Sequence, residues 1–154
     1  MMHLAVNIND EQHNVTSVII NIFTKSKAYH VEPVFSDGYA YRASSKRMGF
    51  VKEDYNYYEW LLIPLPFVSE VEESIIRKWF EDLNETQPEY DYLGAISGVF
   101  GSDREDPTKW YCGELCVKAF GRHIPELTQL KWATPEKVWK YTSDHVKYKH
   151  NNGE

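Results

Sequence analysis

The sequence predicts an α+β domain. Three observations carry that expectation. A stretch of helical apolar period comes first, two aromatic and β-branched runs around a Gly-containing turn follow, and further stretches of helical period close the chain. A length of 154 residues with 42% hydrophobic content supports one sizeable core and barely two. A single domain over residues 1–144 is therefore expected, with 145–154 as a polar tail.

Taken in order, Val15, Val18, Ile19, Ile22 and Phe23 fall on one helical face behind Asn14 as cap, which predicts a first helix over 14–25. AYHVEPVF, the turn SDG and YAYRAS then read as a hairpin, about 28–35 and 39–45. Pro33 lacks a ladder donor, so that strand should lie at an edge or carry a bulge. With the turn centred on Asp37, Ser44 stands opposite His30 and Arg42 opposite Glu32. The polar run KRMGFVKEDYN reads as a loop, and YYEWLLIPLP as a buried strand that ends in two prolines. Ser69 and Glu72 then form an S-x-x-E capping box ahead of Val71, Ile75, Ile76, Trp79, Phe80 and Leu83, a helix over about 69–84.

NETQPE is an acidic loop, YDYLGAISGVFG a short helix or turn weakened by its three glycines, and GSDREDPTK an exposed loop. The next helix has Asp106 or Thr108 as cap, an early Pro107 and Gly121 as its stop. On it Cys112, Leu115, Cys116 and Ala119 share a face, with Cys112 pointing inward from the first turn. TPEKVWKY opens a short last helix, and HVKYKHNNGE should fray.

Composition narrows the function. With 17 Lys and Arg against 23 Asp and Glu, the formal charge of −6 offers no broad basic face to nucleic acid. Aromatic residues at 15% are too many for a disordered segment. No apolar run approaches the roughly 18 residues of a membrane span, and the start of the chain lacks the layout of a secretory signal, so a cytoplasmic protein is expected. The two cysteines stand four apart on a helix, a poor geometry for a disulfide.

A cysteine in the first turn of a helix sits beside unpaired N–H groups and the positive end of the macrodipole, which favour a negatively charged sulfur. The same N–H groups, that of Cys112 included, can hold an oxyanion, and Gly113 leaves room for a substrate. The bland alternative is a cysteine that only packs. A thiolate nucleophile also needs a histidine. His3 and His13 lie in a polar N-terminal stretch, His145 and His150 in the tail, and His123 past the cysteine helix. Only His30 lies on a strand, where Glu32 shares its face and can orient the imidazole. An exposed strand face would explain the same H-x-E. Ser44 and Glu114 are further polar candidates, and Tyr92 and Tyr111 can line a site. Cys112 and Cys116 with His30 or His123 could gather three ligands, but without a C-x-x-C or H-x-x-x-H pair no metal is expected. GAISGVFG lacks the Lys-Ser/Thr ending of a phosphate loop.

The run TKSKAYHVEPVFSDG followed by YRAS, a W-x-x-x-P-L-P strand end, EYDYLG and KWYCGELC, in that order, resembles the circularly permuted papain-like cysteine hydrolases. These are the YiiX-like branch of the NlpC-type superfamily, which includes small bacteriophage proteins. The resemblance spans about residues 14–140. It implies a permuted papain-like fold in which a small antiparallel sheet packs on helices and the histidine strand precedes the cysteine helix. It also implies Cys112 as nucleophile, His30 as base and Glu32 as the third polar member, with Gly113 and Glu114 at the motif positions after the cysteine and no cofactor; Tyr111, Tyr92 and Ser44 are placed around them by the reading of the residues alone. The activity implied is that of a peptidase or amidase, extending to thioesterase and acyl-transfer chemistry on a peptide, amide or acyl substrate. Gly113 stands where the family's serine is usual and Tyr29 replaces another serine, while Glu114 is retained. A degenerate binding module that engages a host protein is the rival reading, and a phage-encoded chain would act in the host cytoplasm. Substrate choice would rest on loops at 46–57 and 84–108.

Overall fold

Strand-forming residues dominate the first half of the chain, and the computed structural model turns them into one sheet. It describes residues 1–8, 27–44, 46–52, 55, 60–91, 95 and 108–153. The helix expected over 14–25, the cap candidate Asp106, Pro107 and Tyr92 lie outside these residues. Among the described residues five strands form the main sheet: β1 (His3–Asn7), β2 (His30–Val34), β3 (Tyr39–Ser44), β4 (Arg47–Lys52) and β5 (Trp60–Pro64). They make an antiparallel sheet in the order β4-β3-β2-β1-β5. Helix α1 (Glu70–Glu85), the two-residue parallel pair β6 (Glu89–Tyr90) and β7 (Lys109–Trp110), and helices α2 (Cys112–Phe120), α3 (Pro125–Thr128) and α4 (Pro135–Asn151) follow. The α+β class is therefore borne out.

β1 corrects the expectation of a polar start. Leu4, Ala5 and Val6 are all fully buried, because the strand lies between β2 and β5 and both of its faces are covered. The run 46–52, expected as loop, is mostly β4, with Met48 and Phe50 packed on the core and Val51 buried on the other face. β5, expected as a buried strand, is the sheet edge, and Leu61 on it is exposed.

The hairpin keeps the expected register. Val34 faces Ala40, which centres the turn on Asp37 and sets Arg42 against Glu32. Pro33, however, lies neither at an edge nor in a bulge towards β1, where it pairs with Leu4 in an unbroken ladder. Its effect falls on the β3 side. Phe35 N–H donates to Tyr39 O at 2.7 Å, and by alternation the donorless nitrogen of Pro33 faces the same strand. Val34–Ala40 is the one backbone pair registered between β2 and β3.

Two apolar clusters cover the sheet. The larger gathers Leu4, Val6, Val31, Phe35 and Tyr41 with Ile76 and Phe80 of α1, and with Cys112, Leu115, Cys116 and Phe120 of α2. Phe80, fully buried, stacks on Tyr41 with ring centres 4.4 Å apart and meets Phe35 edge-on. Burial of such a ring contributes about 1.5–3 kcal/mol. On the opposite face, Ala5, Val34, Ala40, Val51 and Trp60 form the smaller cluster. The capping box of α1 is present, Glu72 N–H donating to Ser69 Oγ and Ser69 N–H to Glu72 Oε2. Its apolar stripe is wider than its buried face, for Val71 and Ile75 point to solvent.

α2 begins later than expected, at Cys112 with Tyr111 as N-cap, because Lys109 and Trp110 are held as β7. The last helix is longer. Thr134 caps it, accepting from Lys137 N–H, and it runs on to Asn151, so most of the expected tail, including His145 and His150, is helical. No helix among the described residues is long and apolar enough to cross a membrane.

Candidate active site

Cys112 is the first residue of α2. Tyr111 before it is extended, with φ −117° and ψ 165°, and turns the chain into the helix. Its N–H donates to Glu114 Oε2 at 3.4 Å, so Glu114 caps the helix that carries the cysteine. The Cys112 N–H, one of the first donors of the helix, has no acceptor among the described residues.

Gly113 is needed for a reason other than access. A Cβ there would stand 1.6 Å from Ala133 O and 2.7 Å from Ala133 C. The space expected for a substrate is filled by the chain itself, since the Ala133 peptide lies against residue 113 and donates its N–H to the Tyr111 hydroxyl at 3.3 Å. That hydroxyl is shut in, and burial, followed by the charge of Glu114, raises its pKa.

His30 opens β2, the strand against which α2 packs. Its Nε2 lies 3.1 Å from Glu32 Oε2, and the Cys112 side chain is near enough to act on its charge. Burial would lower the proton affinity of the imidazole, but the charge and hydrogen bond of Cys112, and then those of Glu32, outweigh it and raise the pKa to about 10. Trp60 meets the ring edge-on, with centroids 6.0 Å apart.

Glu32 is fully buried and fully engaged. Oε2 accepts from Arg42 Nε at 2.8 Å as well as facing His30; Oε1 accepts from Arg42 Nη2 at 2.8 Å and from the Tyr55 hydroxyl at 2.5 Å. Burial disfavours its charge, yet the Arg42 hydrogen bonds, and then His30, hold the carboxyl down at about 2. Arg42 also covers the Trp60 ring at 5.8 Å, and Tyr55 meets the same ring edge-on. Arg42 and His30 supply the positive charge that lets the buried Glu32 carboxylate stay ionised.

No protein-family model matches the chain, and neither a curated protein nor a solved structure does.

Of the residues singled out in the sequence, Cys112, His30 and Glu32 meet at the start of β2, and Gly113, Tyr111 and Glu114 shape the helix start beside them. Ser44 is engaged elsewhere: its Oγ donates to Arg47 O and accepts from Arg47 N–H, both at 3.2 Å, in the β3–β4 turn. Tyr92 lies outside the described residues. Cys116, one turn below Cys112, is fully buried, and burial and then the Cys112 charge push its thiol up, so it packs rather than reacts. Tyr55 and Trp60 were not legible as site residues. Trp60 reaches His30 across β1, since both face Asn7 in the register, and the short strand between them shows no period in the sequence. Tyr55 gave no signal among the polar residues that surround it.

Proposed function

We propose that this chain is a cysteine hydrolase of the permuted papain-like, NlpC-type kind that cleaves an amide or related acyl bond. The observation that carries the reading is a cysteine on the first residue of a helix beside a strand histidine whose Nε2 faces a buried carboxylate. Cys112 Sγ, having given its proton to His30, attacks the carbonyl carbon, and the Cys112 N–H stabilises the oxyanion. As the C–N bond breaks, the His30 imidazolium protonates the leaving amine. Water, deprotonated by His30, then attacks the thioester, releasing the acid and restoring the thiol and imidazole pair. Glu32 keeps the ring turned towards the sulfur through both half-reactions.

The rival binding-module reading drew on the glycine at 113. That departure has a packing cause in the Ala133 carbonyl, which supports the hydrolase reading over the rival. The test is acyl transfer to the cysteine. A p-nitrophenyl acyl ester should leave its acyl group on Cys112, seen in the intact mass, and His30→Ala should slow acylation at least about a hundredfold, the scale of general acid–base assistance. Acylation at the same rate in both proteins would overturn the reading.

A further inference from the structure

Buried ion pairs add little net stability, because desolvation offsets most of the attraction. The Arg42–Glu32 pair, paired through two 2.8 Å bonds beneath His30, therefore has to be explained by what it orients. The guanidinium fork fixes the carboxylate in one plane, because rotation of Glu32 would break both bonds at once. In that plane Oε2 keeps a lone pair for His30 Nε2, and Tyr55 fills the remaining position on Oε1. Arg42 is placed by the pairing of β3 with β2, the strand that carries the histidine. Pro33 deprives β2 of a donor towards β3 beside this point, and the side-chain pair joins the strands there.

We propose that Arg42 is a positioning residue that acts through Glu32 to hold the His30 imidazole against Cys112. This rests on the hydrolase reading of the same site. Among the described residues, the titratable and charged groups that face Glu32 are His30 on β2, Arg42 on β3, Tyr55 beyond β4 and Cys116 on α2, with Cys112 beside His30; β1 presents Ala5 opposite it. With Arg42 in place the carboxyl stays charged throughout the range in which the protein is handled. Without the guanidinium, burial prevails and Glu32 takes up a proton at mild acidity, which frees the imidazole to turn.

The experiment is the pH profile of Cys112 alkylation by iodoacetamide in the full chain, a reaction that needs no substrate. In Arg42→Gln, the rate relative to wild type is expected to fall about tenfold between pH 7 and pH 5, as a buried carboxyl protonates in that range. Glu32→Gln combined with Arg42→Gln should be no slower than Glu32→Gln alone, since Arg42 acts only through the carboxylate. Arg42→Lys keeps a charge but not the fork, so it should hold the wild-type pH dependence at a rate lowered a few-fold. A constant Arg42→Gln ratio across that range would overturn the proposal, as would a double variant whose loss is the product of the single losses. Should Arg42→Gln not fold, an Arg42→Lys rate equal to wild type would overturn it as well. If the ester test fails while these profiles hold, the hydrolase reading falls and the positioning role stands.

Discussion

A methyl group at residue 113 would overlap the Ala133 carbonyl oxygen, 1.6 Å away, and backbone on both sides leaves little room for either to move. Serine in place of glycine in a helix recovers a few tenths of a kcal/mol of propensity, far less than overpacking costs. Gly113→Ser is thus expected to destabilise the fold by about 1–3 kcal/mol, read as a lower urea midpoint. An unchanged midpoint would show that the Ala133 segment does not sit on the cysteine turn. The same scale divides the cysteines. Their spacing put both on one helical face, but Cys112 holds the helix start beside an imidazole while Cys116 sits one turn lower with no exposure at all. His30 and Glu32 were legible because strand alternation alone puts positions 30 and 32 on one face. Arg42 was placed opposite Glu32 by the turn centre. That it grips the carboxylate with both nitrogens was a matter of side-chain conformation.

Among the elements, α1 was legible nearly to the residue because its start is written locally, in a serine and a glutamate three apart. β1 and β4 were not, for their strand character comes from neighbours distant in the chain. HLAVN is too short to declare a period, and KRMGFVK hides Met48 and Phe50 between charges. The last helix ran past its expected end because Val138, Thr142 and Val146 keep packing inward through residues that read as polar. Pro33 offers a test at this scale. Pro33→Val supplies an amide that faces the carbonyl of Tyr41 on β3, extending the ladder beyond Val34 and Ala40. The new amide is expected to exchange with solvent at least about a hundredfold more slowly than an unprotected one, as sheet amides do. Rapid exchange there would mean that β2 and β3 are apart at this level for a reason other than the proline.

Over the whole molecule the site lies where the two apolar clusters meet. Cys112 belongs to the core between sheet and helices, whereas Glu32 shares its strand face with Val34 of the smaller cluster. Two shifted groups there link stability to pH. Glu32, held at about 2, stabilises the fold fully above its ordinary value of 4.5, and that contribution is lost as the pH falls towards 2. His30, raised to about 10, stabilises it fully below its ordinary value of 6.5 and loses that contribution as the pH rises through 10. Both contributions are complete between 4.5 and 6.5. Urea midpoints should therefore decline on the alkaline side between about pH 7 and pH 9 in the wild type, and less steeply in His30→Ala. Parallel slopes in the two proteins would remove His30 as the cause. By itself the sequence determined the α+β class, the hairpin register, the α1 cap and the two residues of the H-x-E strand, because each depends on period or on groups within a few positions. The tertiary structure alone decided that Cys112 meets His30, that Trp60 reaches across β1, and that the Ala133 carbonyl fills the space beside Gly113. Those contacts join residues from about 20 to more than 80 positions apart, and nothing local in a chain encodes which distant surfaces will close on one another.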